Sequence, residues 1–328
     1  MSEIKNIIED IKKEIATSSK EKILCVATTA DLNNPLFTRG STKETDTTIS
    51  CYVILRDAST LAELVEAFDG VVDYFFLDSE IKNEFKDLER LFLSKIKKSK
   101  TFIFKPNDFT VESLDVFVSL FFQSLLDKKV LVLGAGNIGS KISLKLSERG
   151  AKVFLYGKDK EKTEKIVEGL NLIKRGTYPI TEGDMVNSGY DLVLACTPGI
   201  AVVDQKIVEK MAPNGKIIDV GNRTILPEAL QKAGEIGIEV LSLSNIGGYR
   251  GMIENWLYQR DFVEKKRKIS LGSVSLILRG VLGKKGDILV DDVENPQKVF
   301  GVCDGTGGLL SKDEGREIVK NFLPAILF

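Results

Sequence analysis

Apolar runs of strand length alternate with stretches of helical period along most of this chain. The first run, Ile23-Leu24-Cys25-Val26-Ala27, closes on Thr28 and Thr29. Others follow at Ile49 to Leu55, at Tyr74 to Leu77 and at Thr101 to Phe104. Between them, Leu61 to Phe68 and Ile81 to Ile96 carry apolar residues at helical spacing, with Leu88, Leu91 and Phe92 on one face. Strand and helix in alternation predict an α/β fold with a parallel sheet. Val111 to Leu126 predicts a helix that leads directly into a second α/β series, running from Val130 to about Leu243. Beyond Tyr258 the pattern changes. Ile269 to Leu282 is apolar and β-branched, Asp287 to Val290 and Val299 to Val302 are short strands, and Glu314 to Leu323 is a closing helix.

Composition narrows the chemistry. The 328 residues exceed what one core usually fills, so two domains and an appendage are expected. Lys plus Arg (46) and Asp plus Glu (47) nearly cancel, which leaves no bulk field to gather nucleic acid or anionic lipid. The histidine count is zero. That excludes Ser-His-Asp and Cys-His catalysis and His-ligated metals, so acid/base work falls to Lys, Asp, Glu, Tyr or Cys. Cys25, Cys51, Cys196 and Cys303 lie far apart and form no CxxC pair, which predicts no metal site and a reducing compartment. The start of the chain shows no apolar signal-peptide core. Val116 to Leu126 is too short to span a bilayer and is interrupted by Ser119, Gln123 and Ser124, so a cytoplasmic protein is expected.

One motif has the right context for a ligand. Gly134-Ala135-Gly136-Asn137-Ile138-Gly139 fits GxGxxG, behind the strand Val130 to Leu133 and ahead of a helical stretch from Ser140. Gly134 allows the tight turn, Gly136 admits a pyrophosphate close to the backbone, and Gly139 lets helix and strand touch. The helix N-terminus at Asn137 and Ile138 then offers unpaired N–H groups to the phosphates. The next strand, Ala151 to Tyr156, ends in Gly157-Lys158-Asp159-Lys160. NAD sites usually carry an acid at that end for the ribose 2′-OH. Here it is missing at the expected place, and Lys158 and Lys160 suit a 2′-phosphate, so NADP is expected, with NAD allowed. Cys196-Thr197-Pro198-Gly199 closes a further strand, and Thr197 and Pro198 are expected to face the nicotinamide ribose. Cys196, with no activating cation beside it, reads as a small buried strand residue rather than a nucleophile.

From Asn107 to Trp256 the layout resembles the shikimate dehydrogenase family and, more loosely, the methylene-tetrahydrofolate dehydrogenases. Lys129 to Gly136 is similar to that family's opening strand and loop, and Gly157-Lys158-Asp159 stands where it often has Asn-Arg-Thr. Cys196-Thr197-Pro198 resembles its Ala-Thr-Pro turn, and Gly247 to Trp256 its helix that returns to substrate. The resemblance implies an N-terminal parallel-sheet substrate domain over 1–126 and a doubly wound Rossmann domain over 127–262. A small β-containing C-terminal unit, 263–328, is left unmatched. It further implies a catalytic pair, Lys82 and Asp108, at the places of the family's Lys after a strand and Asp before the linking helix. The family's Ser-x-Ser and Asn-Val-Thr-x-Pro-x-Lys patterns are absent, which argues for a substrate other than shikimate.

With no histidine, a Lys oriented by a carboxylate is a workable proton donor or acceptor for hydride chemistry at a C–OH carbon. Lys82 is the leading residue, Asp108 its orienting partner and Lys43 the alternative. Arg39, Lys43 and Tyr249 are the candidate substrate contacts. The expected function is an NAD(P)-dependent oxidoreductase acting on a small polar or anionic substrate, hydroxy/keto or amino/imino, in an inter-domain cleft. The alternative is a non-catalytic dinucleotide-binding or redox-sensing module. The expected partner is a small molecule, neither nucleic acid nor membrane, with a homodimer left open. Gly305-Thr306-Gly307-Gly308 reads as a turn between a strand and the last helix.

Overall fold

A computed structural model describes residues 2–56, 58–82, 88–183 and 187–323. The N-terminal helix α1 (Ser2–Ala16) buries Ile8, Ile11 and Ile15, spaced three and four apart on one face. Each contributes about 1.5–3 kcal/mol on leaving water. The helix packs onto a sheet made of β1 (Glu21–Thr28), β2 (Phe37–Arg39), β3 (Lys43–Glu44) and β4 (Thr48–Leu55). After α2 (Leu61–Phe68) the sheet gains β5 (Tyr74–Asp78) and, after α3 (Leu88–Leu93), β6 (Lys100–Phe104). The order is β2-β4-β1-β5-β6, with β3 also on β4. The four strands β4, β1, β5 and β6 are parallel, and β2 and β3 run antiparallel to β4. β1 is buried from Ile23 to Thr28 and β5 throughout, as interior parallel strands covered on both faces must be. Of the helix expected over Ile81 to Ile96, α3 is described, and residues 83–87 lie outside the described residues.

The linking helix α4 (Pro106–Phe121) starts with Pro at N1 or N2, where its missing N–H costs nothing, and buries Phe109, Leu114 and Val118. It leads to β7 (Lys129–Leu133), α5 (Asn137–Glu148), β8 (Lys152–Tyr156), α6 (Lys160–Ile173) and β9 (Thr181–Glu182). β10 (Tyr190–Ala195), the short α7 (Gln205–Val208), β11 (Met211–Asp219), α8 (Pro227–Glu235) and β12 (Glu239–Ser242) complete the series. The second sheet is parallel throughout, in the order β12-β11-β10-β7-β8-β9. The strand order therefore reverses between β7 and β10, and a doubly wound sheet opens its ligand crevice at that switch point. The expected α/β class, with its Rossmann topology, is present.

The chain divides at Met252, within α9 (Ile246–Glu264), into units Met1–Met252 and Ile253–Phe328. The second unit holds β13 (Lys268–Leu271), β14 (Val274–Leu278), β15 (Ile288–Val290), β16 (Val299–Val302) and α10 (Lys312–Phe322). Its sheet runs β13-β14-β15-β16, with β14 and β15 parallel and the flanking pairs antiparallel. The Gly-rich segment between β16 and α10 is held as a turn. Asp304 Oδ1 accepts from the N–H groups of Thr306 and Gly308 at 2.7 and 3.1 Å. A Ser311–Glu314 capping box then starts α10. No helix among the described residues is long and apolar enough to cross a membrane.

Candidate functional site

At the switch point β7 is followed by Gly134, whose φ of +112° is closed to ordinary side chains. Its N–H donates to Tyr156 O at 2.7 Å, while Cys196 N donates to Leu133 O at 2.7 Å. The ends of β8 and β10 thereby flank the loop. A Cβ on Gly139 would fall 1.8 Å from Gly134 O, so helix and strand touch there as only glycine allows. A Cβ on Gly136 would meet nothing within 4 Å. Gly136 is the N-cap of α5, and no side chain caps that helix. Exposed Gly136 and Asn137 thus border open space in front of unpaired helix N–H groups, which is the setting an anionic pyrophosphate needs.

The end of β8 resolves one ambiguity of the sequence. Asp159, which stands late for a ribose contact, caps α6 instead, its Oδ1 accepting from Lys162 N at 3.0 Å. Gly157 is packed, since a Cβ there would lie 2.9 Å from Ala135 Cβ and 2.3 Å from Thr163 Oγ1. Lys158 and Lys160 are exposed beside it.

Thr197, Pro198 and Gly199 form the turn after β10. Thr197 Oγ1 donates to Ile200 O at 2.7 Å and Gly199 N to Gly221 O at 3.1 Å. A Cβ on Gly199 (φ +62°) would fall 2.4 Å from Asp31 Oδ2, so the loop after β1 abuts this turn directly. Arg223 reinforces the contact, with Nη2 3.1 Å from the same Asp31 oxygen. Arg223 and its neighbour Asn222 both have positive φ, at +57° and +60°. Burial, then the nearby Asp219 carboxylate, pushes the Cys196 thiol up to about 12. It is a protonated structural residue at neutral pH.

The carboxyl ends of β1 and β5 carry a charge cluster. Asp78, with its side chain fully buried, accepts from Thr28 N at 2.9 Å and Thr28 Oγ1 at 2.7 Å. Its Oδ2 also pairs with Lys82 Nζ at 2.9 Å. Lys82, only 12% exposed, donates to Thr28 O at 3.2 Å and pairs with Glu80 Oε2 at 3.1 Å. That Glu80 oxygen also accepts from Asn107 N at 3.2 Å, at the start of α4, while its Oε1 is buried without a partner.

The structure thus corrects the expected pairing of Lys82 with Asp108. Lys82 is bound by Asp78 and Glu80, whereas half-exposed Asp108 forms an ion pair with Lys141 of α5. Asp108 heads a ladder in which Lys145 pairs with Glu112 at 3.0 Å and Arg149 with Asp115 at 2.8 Å, so its side of α4 faces α5. The signal for Asp78 was in the sequence, as a carboxylate closing the apolar run Tyr74 to Leu77.

The three proposed substrate contacts are also placed. Arg39 lies in β2, and its guanidinium is engaged by Glu14 of α1. Lys43 pairs in register with Ser50, near the amino end of β4 and opposite the strand ends that carry Thr28 and Asp78. Their polar surroundings suggest a loop, but both lie in short strands on β4, Lys43 away from the strand ends that carry Thr28 and Asp78 and Arg39 tied to Glu14. Tyr249 is buried in an aromatic cluster with Tyr52 and Phe109, and its hydroxyl lies 3.0 Å from Cys25 Sγ. Burial, then neighbouring Cys25, raises its pKa well above the usual tyrosine value. It anchors the start of α9 rather than facing a substrate, beside Gly248, whose N–H donates to Ser113 Oγ at 2.9 Å.

Comparison with known families matches residues 117–237 to the sequence model of shikimate / quinate 5-dehydrogenase. Over that segment, about a third of the chain, the sequence is similar to that dehydrogenase family. The segment runs from the end of α4 through α8 and contains the whole glycine loop. Comparison with curated proteins gave no match. Among solved structures, a shikimate dehydrogenase in complex with NADP+ is 12% identical, covering 69% of this chain and 85% of that one at TM-score 0.44. The Thermus thermophilus shikimate 5-dehydrogenase in complex with shikimate is 12% identical, with coverages of 68% and 86% and TM-score 0.41. The 5-ketofructose reductase of Gluconobacter sp. strain CHM43 is 16% identical, with coverages of 71% and 90% and TM-score 0.42. Likeness at this level carries no argument about substrate.

Proposed function

We propose that this chain is an NADP-dependent oxidoreductase of a small polar substrate, a hydroxy/keto or amino/imino compound, reacting between the two sheets of its first unit. The observation that carries this reading is the open space at Gly136 in front of the uncapped α5, at the switch point between β7 and β10. Gly134, Gly136, Asn137, Ile138 and Gly139 would hold the pyrophosphate, with Thr197 and Pro198 toward the nicotinamide ribose. Lys158 would meet a 2′-phosphate, because Asp159 at the end of β8 is occupied in capping α6. When bound, NADP supplies or receives the hydride. The chain's own part is to move the accompanying proton, and Lys82 is the group for it. It sits at the carboxyl ends of β1 and β5, and the loop after β1 touches the turn after β10 through Asp31. Residues 1–126 would accordingly form the substrate side.

The test is NADPH binding followed by fluorescence, then absorbance turnover over a panel of hydroxy, keto and amino acids. Lys82→Ala should abolish most turnover and leave NADPH affinity unchanged. Binding without any turnover in the parent protein would favour a non-catalytic dinucleotide-binding module.

A further inference from the structure

An ammonium group has three N–H donors, and three acceptors surround Lys82 Nζ: it donates to Thr28 O and Asp78 Oδ2 and forms an ion pair with Glu80 Oε2 at 3.1 Å. A substrate atom can reach Nζ only by taking the place of one of them. Thr28 O belongs to the strand backbone and cannot leave. Asp78 is fully buried and also ties β1 to β5 through Thr28 N and Oγ1, so releasing it would strand a carboxylate in the core. Glu80 differs in kind. Its side chain is 10% exposed, it comes after the strand has ended, and its Oε1 is buried with no partner. A buried carboxylate oxygen left unmatched costs about 1–3 kcal/mol or more, so this arrangement is complete only when another donor arrives.

We infer that Glu80 is the exchangeable partner of Lys82 and Asp78 the fixed one, with the substrate's reacting oxygen or nitrogen displacing Glu80 from Nζ. The inference rests on the reading of Lys82 as the proton-handling group. The displaced carboxylate turns toward the same substrate, where Oε1 accepts its O–H or N–H. In the oxidative direction, hydroxy and amino substrates, which carry a hydrogen-bond donor on the reacting atom, are therefore selected over ethers and tertiary amines, which do not. Asp78 acts as a positioning residue, holding Nζ at the strand ends throughout.

The test needs no substrate. Lys82 acetylation by trace acetic anhydride, read by mass spectrometry against a free-amine standard, measures how available Nζ is in the full chain. Glu80→Ala should raise that rate about tenfold or more, with Glu80→Gln intermediate, because one donor is freed and the channel to it opened. Both variants should keep the parent melting temperature within about 3 °C. Asp78→Asn should lower the melting temperature by more than either Glu80 change, since β1 loses its tie to β5. Asp108→Asn should leave the Lys82 rate where it was. A Glu80→Ala rate within about twofold of the parent, or a melting loss equal to that of Asp78→Asn, overturns the inference and makes Glu80 a plain cap of α4. These outcomes are separate from the Lys82→Ala turnover test, so failure of the catalytic reading and failure of this one are told apart. Should Asp78→Asn not fold, the two Glu80 variants decide alone.

Discussion

Asp159 Oδ1 accepts the backbone N–H of Lys162 at 3.0 Å, which ties the carboxylate at the end of β8 to the start of α6. A cap of this kind is worth about 0.5–2 kcal/mol, so the side chain is not readily lent to a ribose hydroxyl. Exposed Lys158 precedes it. Lys158→Glu should therefore weaken NADP binding about tenfold or more while changing NAD far less, since a charge-assisted contact is worth about 1.5–3 kcal/mol. Titration of both cofactors against parent and variant reads this out. Equal dissociation constants for the two in the parent would count against it.

The glycines of the loop should fail in different ways. Gly136→Val places its side chain in open space, where a Cβ meets nothing within 4 Å. The variant should fold with the parent's melting temperature and lose dinucleotide binding. Gly139→Ala forces a Cβ to 1.8 Å from Gly134 O, a contact no real Cβ makes. Its first effect should be on stability, as a drop in the unfolding midpoint before any ligand is added. Undiminished calorimetric binding by folded Gly136→Val would refute the site.

These two glycines also show what a sequence can and cannot reveal. The loop and the strand and helix that flank it are contiguous in the chain, so their chemistry is written in one local pattern. The apolar runs of β1, β5, β7 and β10 are legible for the same reason, as each is buried on both faces. Lys82 was legible as a lysine after a strand, but its partners were not. Asp78 reads as the end of an apolar run, and only the pairing of β1 with β5 turns it toward Thr28 and Lys82. Arg39 and Lys43 failed differently. Nothing local in Thr38 to Glu44 announces that the segment folds back as two short antiparallel strands on β4. Tyr249 reaches Cys25 across 224 positions, a relationship no periodicity can carry.

The junction of Asp31 with the β10 turn should depend on shape more than on charge. Arg223 is 66% exposed on its side chain, and an ion pair so wetted contributes about 1 kcal/mol at most. Arg223→Ala should then shift the denaturant midpoint little, and high salt should mimic it. Gly199→Ala combines a φ of +62° with a Cβ 2.4 Å from Asp31 Oδ2. That change should cost about 1–3 kcal/mol. A larger loss from Arg223→Ala than from Gly199→Ala would reverse the assignment.

Alkaline pH should reveal the two thiols that their surroundings hold protonated. Burial pushes Cys25 upward most, with the Tyr249 hydrogen bond opposing, and pushes Cys196 from its ordinary 9.0 to about 12, with Asp219 adding. Unfolding returns both to the ordinary value. Well below pH 9.0 the thiols are protonated in both states and contribute no slope. Above it the unfolded chain gives up protons that the native chain keeps, so the unfolded state binds fewer and stability must fall as pH rises. Each thiol can add a slope of up to about 1.4 kcal/mol per pH unit. Urea unfolding across that range should show the decline, and Cys196→Ala should flatten it toward the part owed to Cys25. Iodoacetamide at neutral pH should label Cys196 slowly in the native protein and at the free-thiol rate in urea, because the thiolate is the nucleophile. Rapid native labelling would mean a lowered pKa and would reopen Cys196 as a reactive group.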